Sequence, residues 1–159
     1  MKAVESFSDL PDGWRCDEGF GVCYLLRSKT MFKIGATKRP FARISEQEKI
    51  GVYKQCEFVD SIYITEPMRG YKFAESALKR AGLRGLRFRP SGINGNSRPN
   101  EVFRADLFDL FRAALEAAEQ FDKDGNSGAF SASLRLIERQ AKGLDATTRR
   151  PRRKKGVAA

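Results

Sequence analysis

The spacing of hydrophobic residues predicts three β-strands within the first 65 residues of the chain. Residues 22–26 form a continuous apolar run, a polar turn follows at 27–30, and a second strand-like run covers 31–35. Residues 56–65 then alternate between apolar and polar side chains, which is typical of a strand with one buried face. The residues expected on that face are Phe58, Ile62 and Ile64.

Four helices are predicted where apolar residues recur every three or four positions. They cover residues 40–49, 71–81, 106–121 and 129–142, and the last two are separated by a turn at 122–128. The 106–121 segment has the clearest amphipathic pattern. The apolar stripe expected on the second helix consists of Phe73, Ala74, Ala77 and Leu78.

Strands and helices in this order predict a mixed α/β chain of the α+β type, with a small sheet flanked by helices. At 159 residues and 41% hydrophobic content, the chain is long enough for one core. We expect a loop-rich lead-in over residues 1–20 and one domain over 21–121. A C-terminal helix over 122–142 and a disordered basic tail over 143–159 complete the predicted organisation.

Positive charge is concentrated in two stretches, although the whole chain carries a net charge of +10. Residues 149–155 hold six basic side chains and no acid, and residues 83–100 hold arginines among glycines and prolines, also without an acid. Such composition favours a polyanionic partner, nucleic acid before membrane. The alternatives are a solvated tail and an ordinary irregular loop. The candidate contacts in these stretches are Arg84, Arg87, Arg89, Arg98, Arg149, Arg150, Arg152, Arg153, Lys154 and Lys155.

Several classes of protein are excluded by what the sequence lacks. There is no histidine, so mechanisms with a histidine base and zinc sites that need imidazole are ruled out. The chain also contains no Walker-type phosphate-binding loop and no carboxylate-x-lysine pair. Three cysteines without a Cys-x-x-Cys pair indicate a reducing compartment without disulfides, and Cys23 is expected in the core. We find no signal peptide and no membrane-spanning stretch, and therefore expect a cytoplasmic protein in a bacterial cell or a phage-infected host.

Tyr24, Lys33 and Arg43 are the candidate catalytic residues, because the two strands and the helix that follows could bring them together. Hydrolysis of a phosphodiester needs a base for the attacking water and positive charge on the developing phosphorane. A tyrosine beside cations could supply the base, and the lysine and arginine could supply the charge. Glu75, on the second helix, could hold a divalent metal at the leaving oxygen. The alternative from spacing alone is a strand tyrosine with surface cations.

Five short motifs, in order, resemble the GIY-YIG nuclease superfamily, and most of all its phage and bacterial branch with a KIG-type second motif. Residues 22–24 read Val-Cys-Tyr, and residues 33–37 read Lys-Ile-Gly-Ala-Thr. Arg43 follows eight positions after the motif glycine. Residues 74–79 resemble the Glu-x-x-Leu-His segment of that branch, and residues 100–103 resemble its closing Glu-Trp/Phe-Phe element.

The resemblance covers residues 21–111, and it departs from the family pattern at three places. Gly-Ile is missing immediately before Tyr24. Lys33 stands where the name-giving tyrosine would be, and Lys79 stands where the histidine would be.

The resemblance implies a three-stranded antiparallel sheet between helices and a role for each motif residue. Tyr24 would be the general base, Arg43 would stabilise the pentacovalent phosphate, and Lys33 would assist the base or contact phosphate. The metal ligand would be Glu75, holding one Mg²⁺ or Mn²⁺. The supporting roles would fall to Gly35, which lets the backbone turn closely, and Thr37, which caps the helix that presents Arg43.

The first hypothesis is therefore a metal-dependent endonuclease that cleaves DNA, with RNA left open. Arg39 and Lys79 would join the basic stretches in contacting nucleic acid. The alternative is a non-catalytic nucleic-acid-binding module on the same fold. A third hypothesis is an interaction protein that uses the 106–121 helix to bind a partner protein.

Overall fold

The computed structural model describes residues 1–50, 59–84 and 102–148, and it confirms a mixed α+β chain. Short 3₁₀ turns at Phe7–Asp9 and Ala105–Leu107 accompany the main elements. The strands in the described ranges are β1 (Lys2–Val4), β2 (Val22–Arg27), β3 (Met31–Thr37), β4 (Ser61–Ile64) and β5 (Val102–Arg104). The helices there are α1 (Pro40–Ile50), α2 (Tyr71–Arg84), α3 (Phe108–Asp124) and α4 (Gly128–Thr148).

The strands form one antiparallel sheet in the order β1-β4-β2-β3-β5. The prediction of a three-stranded sheet was therefore wrong in strand number. β1 lies within the lead-in that was expected to be loop, and it pairs Val4 with Ile62. Both extra strands are three residues long, too short to show an alternating pattern, and they form at the sheet edges by backbone pairing.

The two faces of the sheet bury different sets of side chains, because neighbouring residues on a strand point in opposite directions. α1 covers one face, and α2, α3 and α4 cover the other. The buried residues on the α1 face include Val22, Tyr24, Leu26, Ile44, Ile62, Ile64 and Val102. Those on the opposite face include Cys23, Leu25, Phe32, Ile34, Leu78, Phe103, Phe111 and Ile137.

The predicted third strand is confirmed in its second half. Ile62 and Ile64 are buried as expected, and Asp60 begins the pairing by donating its N–H to the Arg27 carbonyl at 2.8 Å. Residues 51–58, including Phe58 and Cys56, lie outside the described residues.

The helices extend further than the apolar pattern predicted, most of all at the C-terminus. α3 continues to Asp124, where Gly125 ends it with a positive φ of 73°. α4 runs through Gly143 to Thr148, so the expected start of a disordered tail at residue 143 was wrong. A Cβ at Gly143 would meet no atom within 4 Å, and the residue does not adopt the left-handed conformation that ends many helices. The rest of the predicted tail lies outside the described ranges.

One predicted core position on α2 was also wrong. Phe73 is 61% exposed, whereas Ala74, Leu78 and Ala81 form the buried stripe. The reason is geometric, since positions 74, 78 and 81 line one side of the helix and position 73 lies about 100° away from position 74. The Phe73 ring instead lies 6.1 Å from that of Phe130 on α4.

Two further observations concern membrane-spanning helices and the cysteines. In the ranges that the structure describes, no helix combines the length and apolar character needed to cross a bilayer. Cys16 and Cys23 are free thiols, and Cys23 is fully buried as predicted.

Candidate functional site

Tyr24 lies in the middle of β2 with its ring against β3. It pairs in register with Gly35, and its side chain is 1% exposed. A Cβ added to Gly35 would lie closer than 3.0 Å to the phenol carbon and oxygen of Tyr24. Gly35 therefore provides the space that the tyrosine ring occupies, and its backbone does not need a positive φ.

Arg43 reaches the Tyr24 phenol from α1. Burial lowers the pKa of the Arg43 guanidinium, but charge interaction and a side-chain hydrogen bond with Tyr24, together with Glu46, outweigh it and leave the pKa raised. The second partner is Glu46, whose carboxylate accepts from Arg43 at 3.4 Å. The arginine side chain is 45% exposed, so it joins a buried phenol to the solvent-facing side of α1.

Lys33 lies on the same face of the sheet as Tyr24 and Gly35, two residues before Gly35 on β3. Its ammonium donates a short hydrogen bond to the side-chain oxygen of Gln47 on α1. Gln47 is itself buried, and this contact directs Lys33 toward α1. The structure thus places Tyr24 and Lys33 on the face of the sheet that α1 covers, and Arg43 on α1 itself.

The turn from β3 into α1 fixes the start of the helix that carries Arg43. Thr37 Oγ1 accepts the Arg39 N–H at 3.0 Å, so it orders the residue before the helix rather than an amide of the first turn. The Phe41 N–H, one of the amides that no helical carbonyl can satisfy, donates to the Trp14 carbonyl at 3.5 Å. The N-terminal segment therefore supplies part of the cap.

Glu75 lies on α2, which packs on the opposite face of the sheet. Its carboxylate accepts a short charge-assisted bond from Lys79, four residues along the helix, and the two side chains are 19% and 16% exposed. Its negative charge reaches the buried Cys23 thiol, whose pKa is raised first by burial and then by Glu75. Glu75 therefore belongs to a different side-chain layer from Tyr24 and Arg43.

Glu75 is the carboxylate that the sequence predicted as the metal ligand. Among the described residues there is no group of three or more acidic, cysteine or histidine side chains that could surround an ion. Mg²⁺ is commonly held by one or two carboxylates, with water and substrate phosphates as the other ligands. Glu75 fits that chemistry as a single carboxylate ligand, and Lys79 would compete with the metal ion for its oxygen.

A groove of about 610 Å³ opens at the edge of the sheet, where the N-terminal segment meets the starts of α1 and α2. Arg39, a predicted nucleic-acid contact, is exposed and lines it. Arg15, Lys38 and Lys72 also line it, and none of them was singled out from the sequence. They lie on three separate segments, and their only sequence signal was the basic dipeptide at 38–39.

The remaining predicted nucleic-acid contacts fall mostly outside the described residues. Lys79 is described and is bonded to Glu75. Arg84 is the last residue of α2. The contacts that lie outside are Arg87, Arg89, Arg98, Arg149, Arg150, Arg152, Arg153, Lys154 and Lys155.

Comparison with known proteins gives no relative for this chain or its site. No protein-family model, no curated protein and no solved structure matches it.

Proposed function

We propose that the protein is a nucleic-acid endonuclease that hydrolyses phosphodiester bonds at the Tyr24–Arg43 pair. The observation that carries the proposal is the contact between a buried phenol and a half-exposed guanidinium, made over a glycine that has no room for a side chain. A buried tyrosine hydroxyl needs a hydrogen-bond partner, and here that partner is a cation that also faces solvent.

The pair has the chemistry that phosphodiester cleavage requires. A neighbouring cation favours the ionised form of a phenol, which can then accept a proton from water. The exposed guanidinium is a planar donor suited to phosphate oxygens, and it would stabilise negative charge that builds up during attack. Tyr24 is therefore assigned the base role and Arg43 the phosphate role.

Lys33 adds a second positive charge on the same face. Its ammonium donates a hydrogen bond to the side-chain oxygen of Gln47, which carries no formal charge. A divalent metal held by Glu75 would supply Lewis-acid stabilisation of the leaving oxygen.

One observation favours the second candidate, a nucleic-acid-binding module without catalysis. Glu75 is engaged by Lys79 and lies on a helix of the opposite face, so the carboxylate and the phenol belong to separate layers. If Lys79 keeps the carboxylate from a metal, the same fold would bind nucleic acid without cutting it.

The test is nicking of supercoiled plasmid in Mg²⁺ or Mn²⁺ by the wild type, Tyr24→Phe and Glu75→Ala. Loss of the base is expected to lower the rate by a factor of about 10² to 10⁴ while DNA binding persists. Tyr63→Phe is the matched control, because Tyr63 lies on β4 with its ring against Phe108 on the other face. It should cut at the wild-type rate.

Two results would contradict the proposal. A wild type that binds DNA but never nicks it would support the binding module. Equal loss of cutting in Tyr24→Phe and Tyr63→Phe would show that the phenol at residue 24 has no special role.

A further inference from the structure

The groove beside the Tyr24–Arg43 pair carries an excess of positive charge from three separate segments. Arg15 comes from the N-terminal segment, Lys38 and Arg39 from the turn after β3, and Lys72 from the start of α2. Two acidic residues, Asp17 and Glu18, also line it, so the lining carries a net charge of +2.

The four cations form few contacts with the rest of the described chain, and one of these is between Lys72 and the Tyr71 ring, whose centroid lies 5.9 Å from the ammonium. All four side chains are exposed, and within the described parts of the chain none of them forms an ion pair. By contrast, other described cations such as Lys79, Arg104 and Lys142 are paired with carboxylates. Because these exposed cations outnumber the two acidic residues of the lining, the local potential at the groove is positive, which attracts anions.

Two helix starts add to this potential. α1 begins at Pro40 and α2 at Tyr71, and residues at or next to both positions line the groove. The amides in the first turn of a helix carry partial positive charge, although in α1 the Phe41 N–H already donates to the Trp14 carbonyl. This contribution supports the cations and would not define a site without them.

The groove leads to the candidate catalytic pair. Arg39 directly precedes α1 and lies one turn from Arg43, whose N–H donates to the Arg39 carbonyl at 3.0 Å. Thr37 lines the groove and lies two residues beyond Gly35 on β3, on the same face of the sheet. A chain of phosphates lying in the groove would therefore continue along α1 to Arg43.

We propose that this groove binds the phosphodiester backbone of a nucleic-acid strand next to the phosphate that is cleaved. The cations are spread over three segments instead of converging on one point, which suits an extended polyanion better than a single phosphate. The proposal rests on the function proposed above, and it assigns Arg15, Lys38 and Lys72 to substrate binding.

The experiment measures binding of a short fluorescein-labelled DNA duplex by anisotropy over a range of salt concentrations. The groove variant replaces Arg15, Lys38 and Lys72 with glutamine together. Each lost phosphate contact is expected to lower the magnitude of the slope of log K against log salt by about 0.9. The slope of the triple variant should therefore be smaller in magnitude by about 2 to 3. We expect at least a tenfold loss of affinity at about 0.1 M salt.

A matched control removes the same charge elsewhere, with Lys29, Lys49 and Arg139 replaced by glutamine. These side chains are exposed and do not line the groove. Lys29 lies in the β2–β3 turn, at the far end of the hairpin from Thr37. The control should keep nearly the wild-type slope, and thermal unfolding of both variants should match that of the wild type.

The outcomes separate this proposal from the proposed function. Equal salt slopes in the groove and control variants, or no DNA binding by the wild type, would each overturn it. Loss of binding in the groove variant alone, in a protein that never cuts plasmid, would support the groove and reject the nuclease. If the groove variant still cuts plasmid and binds DNA with unchanged affinity, the nuclease proposal is supported and the groove proposal is rejected.

Discussion

The position of the Tyr24 phenol depends on a missing side chain at residue 35. We expect Gly35→Ala to destabilise the fold by about 1 to 3 kcal/mol, because the added methyl group must displace the buried tyrosine ring. The displaced phenol should also lose its contact with Arg43, so plasmid nicking should fall. The measurements are urea unfolding and the nicking rate of the variant.

A matched control and a coupled variant make this prediction specific. Gly143→Ala lies in α4 with no atom near its Cβ position and should stabilise the protein by up to about 1 kcal/mol. In a Tyr24→Val background, Gly35→Ala should destabilise the fold much less, because the ring that the new methyl group would meet is absent. An equal cost in both backgrounds would contradict the packing argument.

The Cys23 thiol should make stability fall at alkaline pH. Burial, followed by the charge of Glu75, raises the pKa of this thiol, so it stays protonated in the folded state. An unfolded thiol loses its proton above about pH 8.5, so at higher pH the folded state binds more protons than the unfolded state. The contribution of the thiol to the free energy of unfolding is therefore constant below that pH, and it falls by about 2 kcal/mol by pH 10.

Comparison with Cys23→Ala isolates this effect from other alkaline titrations. The variant should be less stable than the wild type near neutral pH, and the difference should shrink as pH rises. Urea unfolding of both proteins at a series of pH values measures it, and Cys16, whose pKa is also raised by burial, is kept in both. A difference that stays constant with pH would show that the thiol does not contribute to the alkaline loss.

Among the elements, those with a full period of alternating or helical pattern could be predicted from the sequence. β2, β3 and the four helices were found because each spans enough residues to show which positions are apolar. β1 and β5 were not, since three residues carry no period and the pairing partner lies far away in the chain. α4 was predicted too short, because Gly143 resembles a stop signal but lies within the helix.

The candidate site could be predicted in part for the same reason. Tyr24 and Gly35 face each other in the hairpin register, and Arg43 follows at a fixed distance along α1, so local spacing indicates their meeting. The layer in which Glu75 lies depends on how α2 packs against the sheet, which no local pattern shows. The groove was missed because Arg15, Lys38 and Lys72 come together only through tertiary structure.

At the scale of the whole molecule, charge and core are arranged on different parts of the chain. The large apolar layer joins the sheet to α2, α3 and α4, and the last buried residue on α4 is Ala141 among those with described side chains. The six cations of residues 149–155 come after that point in the sequence. The basic C-terminal stretch can therefore be changed without removing a described core contact.

Ending the chain at Thr148 should weaken DNA binding and leave the fold intact. The loss of six cations should reduce the slope of log K against log salt by up to about 5, if each contacts a phosphate. Thermal unfolding should be unchanged, because the buried α4 residues Phe130, Ile137 and Ala141 remain. At saturating DNA the nicking rate should also remain, since the Tyr24–Arg43 pair is untouched. A truncated protein with the full-length salt slope would show that these cations are solvated charge rather than DNA contacts, and the groove would then carry the binding.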